Sequence, residues 1–524
     1  MSTVTPAAVI VLAAGEGTRM KSKTPKVLHE LAGRSLLGHA LHAAAGLQPQ
    51  RNAVVVRHER ELVGGHAQEL FPAVLLANQD DVPGTGRAVQ FGLNVLDGAA
   101  QAAYALDGVS EADIGADAGQ LQGNVVVLAG DIPLLDAATL QELLQTHQDA
   151  NNAVTVLTTH VADPSGYGRI VRNEAGEVLS IVEHKDASPA QLQITEINSS
   201  IYVFDAGVLR GALLNVTNDN AQGEIYLTDV LRIAREQGHN VGAFVIADPM
   251  LVEGVNDRQQ LAILGRELNN RILKRWMVDG VTISDPQNTW IDITVELESD
   301  VTILPGTQLH GATVVQTGAV IGPDTTLRDV QVGPGAQVTR THALQASIGQ
   351  DAKVGPFSYL RPGTVLAARG KIGAFVETKN AQIGAGSKVP HLSYVGDATI
   401  GEDSNVGAGT IFVNYDGVHK HHTAVGSNVR IGADNVLVAP VQVNDGAYTG
   451  AGTVIRREVP SGALAVSSPA QRNIDGWVDR RRPGNSSALA PQAQQELKQA
   501  EAASAAIPKP SAHLLKPPTE QDKN

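Results

Sequence analysis

The sequence predicts two fold classes in one chain: an α/β domain with a mainly parallel sheet, then a left-handed parallel β-helix of hexapeptide repeats. Three observations predict this. Up to about residue 255, short apolar runs alternate with mixed or amphipathic segments of helix length, the pattern of strands with helices on the sheet faces. Between Asp257 and Lys274, Leu261, Leu264, Leu268 and Ile272 recur at three- and four-residue steps, which marks a connecting amphipathic helix. Beyond that helix, aliphatic residues recur every six positions.

Bulk properties agree. A chain of 524 residues is too long for one ordinary core, so two large domains plus linkers are expected. Apolar residues make up 43% and aromatics only 3%, with 53 glycines, which suits small Val/Ile/Leu/Ala cores with many tight corners. A net charge of −14 argues against a general nucleic-acid binder but leaves room for one basic nucleotide pocket. With no cysteine there are no disulfides, thiolate metal sites or cysteine nucleophile. Met1 to Pro6 is short and uncharged and runs into Val9-Ile10-Val11-Leu12, which reads as a buried strand, not a secretion signal. No apolar stretch approaches the roughly 20 residues that span a bilayer. A soluble, cytoplasmic protein is the expectation.

In the first half the strands are Val9–Ala13, Ala53–Val56, Val125–Ala129, Ala153–Thr158, Ile201–Phe204 and Val241–Ile246. Asp97 to Gly123, rich in Ala, Gly, Asp and Gln, reads as a partly disordered surface insertion. The period of six then runs through Ile303, Leu309, Val315, Ile321 and Leu327, and resumes at Ile348, Val354, Leu360, Leu366 and Ile372. It continues through Ile383, Val389 and Val395, and through Ile431, Leu437 and Val443. No helix or ordinary strand sustains that period; it is the signature of a parallel β-helix whose coils bury their faces on one another. Register shifts, as between Leu327 and Val332, are expected to be projecting loops. The predicted divisions are 1–255, a helical linker 256–277, the β-helix 278–482, and a disordered Ser/Ala/Gln/Lys/Pro-rich tail 483–524.

Two motifs carry chemistry in the first half. The first strand ends in Leu12-Ala13-Ala14-Gly15-Glu16-Gly17-Thr18-Arg19-Met20, followed by Pro25-Lys26-Val27-Leu28. A glycine turn after a strand exposes N–H groups that hold a phosphate or base, and Arg19 and Lys26 add positive charge. It has neither the Walker nor the dinucleotide spacing, and taken alone such a turn is more often simple structure. The second motif is Val125 to Leu134, where Asp131 follows a buried strand at the edge where α/β sheets bind ligands. Asp131 is a Mg²⁺ ligand candidate, or else the cap of the next turn.

Taken together, these motifs resemble the sugar-phosphate nucleotidyltransferases, whose Rossmann-like domain the first half would form. Further matches are Gln79 with Gly84-Thr85-Gly86, Gly166 to Ile170, Ile181 to Asp186, Glu196-Ile197-Asn198 and Val252 to Asn256. The ordered set is similar to the bacterial bifunctional N-acetylglucosamine-1-phosphate uridylyltransferase/glucosamine-1-phosphate acetyltransferase family, over nearly the whole chain to about residue 480. The resemblance implies that Leu12, Ala13, Ala14, Gly15, Gln79, Gly84 and Thr85 hold the uracil and ribose of UTP. It implies that Gly168, Glu183 and Asn198 grip the amino sugar. Asp131 and Asn256 would coordinate Mg²⁺, with Lys26 and Arg19 on the phosphates. The implied reaction is in-line attack of the sugar phosphate on the α-phosphorus, which needs positioning and charge neutralisation and no covalent intermediate. The chain departs from the family at Ala129, usually aromatic, and at Arg87, usually His.

In the second half, polar and aromatic clusters interrupt the aliphatic coils. They include Arg361-Pro362-Gly363, Glu377 to Asn380, His391 to Tyr394, Asn405 to Gly409 and Asn414 to Gly417. A lone surface His is usually inert, but here the clusters follow the family's acetyltransferase pattern. That pattern implies His391 as general base on the sugar 2-amine, attacking acetyl-CoA; imidazole, titrating near neutral pH, suits the role. Arg361 and Lys379 would bind the sugar phosphate, and Tyr394 and Asn405 the sugar. Ala408, Asn414, Tyr415, Ala433, Ala451 and Ser468 match positions along the acetyl-CoA cleft, which the family forms between chains of a homotrimer. Ala433 stands where Ser is common, and Ser468 where Arg often contacts the coenzyme. His419, Lys420, His421 and His422 read as a loop over the cleft, since adjacent imidazoles do not converge on one ion. Two other readings compete: a single-function nucleotidyltransferase using the β-helix for assembly, and a non-catalytic sugar-nucleotide sensor.

Overall fold

The computed structural model describes residues 4–98, 120–467 and 471–505. Most of the expected insertion, residues 99–119, and Ser468 lie outside the described residues. The base of the insertion is tied: Arg210 forks onto the Asp97 carboxylate at 2.9 and 2.7 Å, and Leu121 N–H donates to the same group at 2.8 Å.

The first strand, Ala8–Leu12, is an unbroken apolar run because helices cover both faces of its sheet. It pairs in parallel with Arg51–Val56 on one side and Asn124–Ala129 on the other. The sheet order is Val241–Ile246, Val154–His160, Glu196–Asp205, Asn124–Ala129, Ala8–Leu12, Arg51–Val56, Leu75–Asn78. Antiparallel pairing departs from the parallel expectation, both in this order and where Arg169–Arg172 pairs with Glu196–Asp205 and Val178–Val182. Glu196–Asp205 runs antiparallel to both its neighbours, which makes the sheet mixed. A local apolar run carries no information about strand direction, so its sequence could not reveal this.

The linker helix spans Arg258–Val278, capped by Asp257, whose carboxylate accepts from Gln260 N–H at 2.9 Å. Its buried face, Leu264, Leu268, Ile272 and Leu273, joins one apolar cluster running from Met20, Leu31, Leu36 and Val255 into Ile283, Ile291 and Ile303. Apolar packing is therefore continuous across residue 255, and the chain to Val466 forms one compact unit.

Each full β-helix coil is three hexapeptides. Ile303 registers with Ile321 and Leu309 with Leu327, and Ile303, Leu309 and Val315 are all fully buried. Two interior threonines satisfy their hydroxyls on nearby carbonyls: Thr307 Oγ1 donates to Leu304 O and Thr313 Oγ1 to His310 O, both at 2.7 Å. The shift between Leu327 and Val332 is a shortened coil and not the projecting loop expected. Val315 registers with Val332, and Asp329 takes a left-handed corner at φ 55° that saves a residue. The true projection is Asn414–Thr423, which lengthens the coil joining Ile400 to Val425.

Residues from Ser467 onward form a separate unit. Within it, Ser486–Ala505 is helical, where composition suggests a disordered tail over 483–524. Its Ala, Gln, Glu and Lys are strong helix formers even without an apolar stripe, and the composition argument weighed only the missing core. Residues 506–524 lie outside the described residues.

Candidate functional sites

The turn after the first strand gathers most of the predicted nucleotide residues. A cavity of about 400 Å³ is lined by Leu12, Ala13, Ala14, Gly15, Lys26, Gln79, Gly84, Thr85 and Asp131. Gly17 (φ 68°) lets Lys26 pass beneath the loop, since a Cβ there would lie 2.5 Å from the Lys26 Cβ. Lys26 Nζ then meets the Asp131 carboxylate in a largely buried ion pair. Gly84 (φ 128°) packs its Cα against the Ile225 main chain, where a Cβ would meet Ile225 O at 2.2 Å. Gly86 N–H donates to Ile225 O at 2.8 Å, so this turn is stitched to the Ile225 segment.

Arg19 and Asn256 meet next to this cavity, Arg19 Nη2 donating to Asn256 Oδ1 at 2.8 Å. Val255 N–H donates to Asp131 O at 3.0 Å, which holds Asn256 beside the Asp131 strand end. Gly254 lies against the Asp131 side chain, where a Cβ would make only ordinary contact with the carboxylate at 3.7 Å. Asp131 and Asn256 thus offer hard oxygen donors, each facing a cationic side chain, an arrangement able to hold a divalent cation with phosphate oxygens.

Gly168, Glu183 and Asn198 converge separately. Asn198 N–H donates to Gly168 O at 2.9 Å, and a Cβ on Gly168 would touch Asn198 Cβ at 3.4 Å and Glu183 Oε2 at 3.5 Å. Burial raises the Glu183 pKa above the ordinary carboxylate value, with nearby Asp186, Glu224 and Asp229 adding to it. Sequence reasoning missed Arg57, Ser200 and Glu224 in the cavity wall. Ser200 lines it because Glu196–Asp205 bulges between Asn198 and Tyr202, with Ser200 at φ 64°, and no local signal announces a bulge.

On the β-helix the predicted residues fall into two groups. Lys388, Asn405, Arg430 and Tyr448 are register partners on successive coils, and His391, Ala408, Ala433 and Ala451 each follow three residues later. These four therefore stand in one column at one corner. His391 O accepts from Gly409 N–H at 3.4 Å, Ala408 O from Asp434 N–H at 2.7 Å and Ala433 O from Gly452 N–H at 2.9 Å. The column gives an exposed imidazole at its head and a shallow lane of methyl groups below it.

The second group lies on an adjoining face. Arg361 Nη1 donates to Glu377 Oε1 at 2.9 Å, and Asn414 Nδ2 reaches both Tyr394 Oη (3.4 Å) and Asp397 Oδ2 (2.5 Å). Lys420, on the projecting loop, faces Lys379 and lowers its pKa. Burial tends to raise Asp397, but the amides of Asn380 and Asn414 outweigh it and hold its pKa below the ordinary range. Asp397 was not singled out from the sequence, and Lys420 was read only as part of the loop over the cleft; the folding-back of that loop brings it to the cluster. The loop is closed by Asn414 O accepting from His421 N–H at 2.8 Å and by His421 Nε2 with Asp416 Oδ2 at 2.7 Å. His422 turns instead to Thr399 Oγ1 at 3.1 Å, so the imidazoles diverge.

Residues 9–192 match the MobA-like NTP transferase domain. The chain is 58% identical over 488 residues to the Bifunctional protein GlmU of Pseudarthrobacter chlorophenolicus, covering 93% of this chain and 95% of that one. It is 57% identical over 486 residues to the Bifunctional protein GlmU of Mycolicibacterium vanbaalenii, covering 92% and 94%. The Corynebacterium glutamicum protein of the same name is 53% identical over 494 residues, covering 94% and 97%. With its fold, its cavity-lining residues and likeness across more than nine-tenths of the sequence, the chain belongs to the bifunctional GlmU family.

Proposed function

We propose that the chain makes UDP-N-acetylglucosamine by two transfers at two sites. Acetyl passes from acetyl-CoA to glucosamine-1-phosphate on the β-helix, and uridylyl then passes from UTP to N-acetylglucosamine-1-phosphate in the first half. The observation that carries this reading is the convergence, around one cavity, of the Leu12–Gly15 turn, Lys26, Gln79, Gly84, Thr85 and Asp131. We assign residues 1–255 to uridylyl transfer, 256–277 to the linker and 278–482 to acetyl transfer.

In the uridylyl site, main-chain N–H groups and Gln79 hold the base, while Gly168, Glu183 and Asn198 orient the sugar. Asp131 and Asn256 would hold Mg²⁺, which when bound supplies positive charge against the phosphate oxygens; their hard carboxylate and amide oxygens fit it. Lys26 and Arg19 swing from carboxylate and amide to phosphate, neutralising charge that develops on transfer.

In the acetyl site, His391 takes the proton from the sugar 2-amine as nitrogen attacks the thioester carbon, and CoA leaves as the thiol. Arg361 and Lys379 hold the phosphate, Tyr394 and Asn405 the sugar. Ala408, Ala433 and Ala451, with Asn414 and Tyr415, line the coenzyme path. Attack is direct, since no cysteine exists to carry the acyl group.

We propose that the working form is a trimer joined along the β-helix. Phe357 and Phe375 stack at 5.3 Å on successive corners, 54% and 60% exposed, and Leu392 follows at 60%. All three hold a left-handed backbone, at φ 60°, 57° and 49°. Bulky apolar residues in that strained and solvent-facing position suit a ladder covered by another chain. A light-scattering mass of three chains supports this, and a monomer at catalytic concentrations contradicts it. The test of function is chromatography of glucosamine-1-phosphate, acetyl-CoA, UTP and Mg²⁺ after incubation with the protein. UDP-N-acetylglucosamine forms only with acetyl-CoA present; its absence in the full mixture contradicts the reading.

A further inference from the structure

The linker helix reaches into the uridylyl site through one side chain. Gln260, the third residue of that helix, is half-buried and turns its amide back toward the preceding loop. Its Oε1 accepts from Asn256 N–H at 2.8 Å, and its Nε2 donates to Glu253 Oε1 at 3.1 Å. The other Glu253 oxygen accepts from Tyr167 Oη at 3.1 Å, and Val255 between them donates to Asp131 O. A main-chain N–H requires an acceptor and a carboxylate a donor, so these partners fix the amide in one orientation. Glutamate could serve only the first, and methionine neither.

A Gln at the third helical position ordinarily closes a capping box by accepting from the N–H of the cap residue. Here Asp257 caps the helix alone, and Gln260 takes the N–H one residue earlier, that of Asn256. The bond therefore acts on the loop that aims Asn256 Oδ1, where a helix cap would act on the helix.

We propose that Gln260 is a positioning residue for uridylyl transfer, fixing Asn256 in the geometry that holds the divalent cation. The proposal rests on Asn256 being a cation ligand, as read above. Partners that orient metal ligands are typically worth about 10- to 100-fold in metal affinity.

The test uses full-length protein and Mn²⁺ as the spectroscopic probe, with free Mn²⁺ followed by electron paramagnetic resonance in the presence of UDP-N-acetylglucosamine. Gln260→Met is expected to weaken Mn²⁺ binding about tenfold, with Gln260→Glu falling between it and wild type. The rate of acetyl transfer, made elsewhere in the chain, stays at the wild-type value and certifies folding. If Gln260→Met fails that criterion, Gln260→Glu decides alone. Mn²⁺ binding within twofold of wild type in the folded variants overturns the proposal and leaves a helix-end contact only. Asn256→Ala runs beside them. If it too binds Mn²⁺ like wild type, the failure lies with the ligand assignment of Asn256, which is then distinguishable from a failure of Gln260 alone.

Discussion

Arg19 and Asn256 lie 237 positions apart in sequence and share a hydrogen bond of 2.8 Å. The contact closes the nucleotide loop against the loop that ends the first half. On the proposed reading, the Arg19 guanidinium and the Asn256 amide oxygen are then presented to the same ligand. Asn256→Ala is expected to lower uridylyl transfer about 10²-fold at fixed Mg²⁺, the scale for losing one oriented electrostatic group. Acetyl transfer stays unchanged. Pyrophosphate release and CoA release, measured on the same preparation, check both halves of the statement.

Arg87, where the family usually has His, forks onto Asp80 at 3.2 and 2.5 Å and lowers the Asp80 pKa by that bond. Asp80 in turn accepts from Val82 N–H at 3.2 Å, and Gln79 Nε2 donates to Val82 O at 2.9 Å. The fork thus braces the loop that carries Gln79. Arg87→Ala should raise KM for UTP several-fold, about fivefold, with kcat changed less. Because the pair is partly exposed, stability should fall by only about 1 kcal/mol or less. Steady-state kinetics with UTP varied, beside a thermal melt, separates the two effects.

His39 and His147 are buried and neutral, their pKa values lowered to about 4, in each case chiefly by burial. His39 Nε2 pairs with Leu31 O and His147 Nδ1 with Thr155 Oγ1, each at 2.9 Å. An unfolded chain protonates both near 6.5, so between there and about 4 the unfolded state binds more protons. Stability contributed by neutral burial is whole above pH 6.5 and is lost as pH falls toward 4, on the order of 3 kcal/mol for each group. Melting curves from pH 7.5 to 4.5 should show this decline, with a shallower slope in His147→Gln. An equal slope in that variant contradicts the assignment.

The column of His391, Ala408, Ala433 and Ala451 makes a steric prediction. Ala433→Leu fills the methyl lane one coil from Ala408 and should raise KM for acetyl-CoA about tenfold, since blocked contact area is lost from binding. The KM for glucosamine-1-phosphate should move less than twofold. Equal rises in both would place Ala433 outside the coenzyme path.

How far the sequence reveals this structure depends on how local the signal is. Ile303, Leu309 and Val315 announce the coil because every hexapeptide repeats the same inward demand. Leu264, Leu268 and Ile272 announce the linker helix in the same way. The Leu12–Gly15 turn and Asp131 were legible because a strand end with glycine or carboxylate is itself a local pattern. What stayed hidden is non-local or cooperative. The direction of Glu196–Asp205, the bulge that aims Ser200 and the back-turned amide of Gln260 all depend on partners far along the chain. The shortened coil at Asp329 looked like a loop because a period of six, when broken, does not say whether residues were added or removed.

The central claim is that one chain carries two independent transfer sites, with His391 serving only the second. The most direct measurement follows CoA and pyrophosphate separately for wild type and His391→Ala. Wild type should release both from glucosamine-1-phosphate, acetyl-CoA, UTP and Mg²⁺. His391→Ala should lose CoA release by at least about 10²-fold, at the low end of general-base contributions, yet form pyrophosphate normally from N-acetylglucosamine-1-phosphate. If wild type releases no CoA while converting the acetylated sugar phosphate, the β-helix is an assembly domain and the two-site account fails.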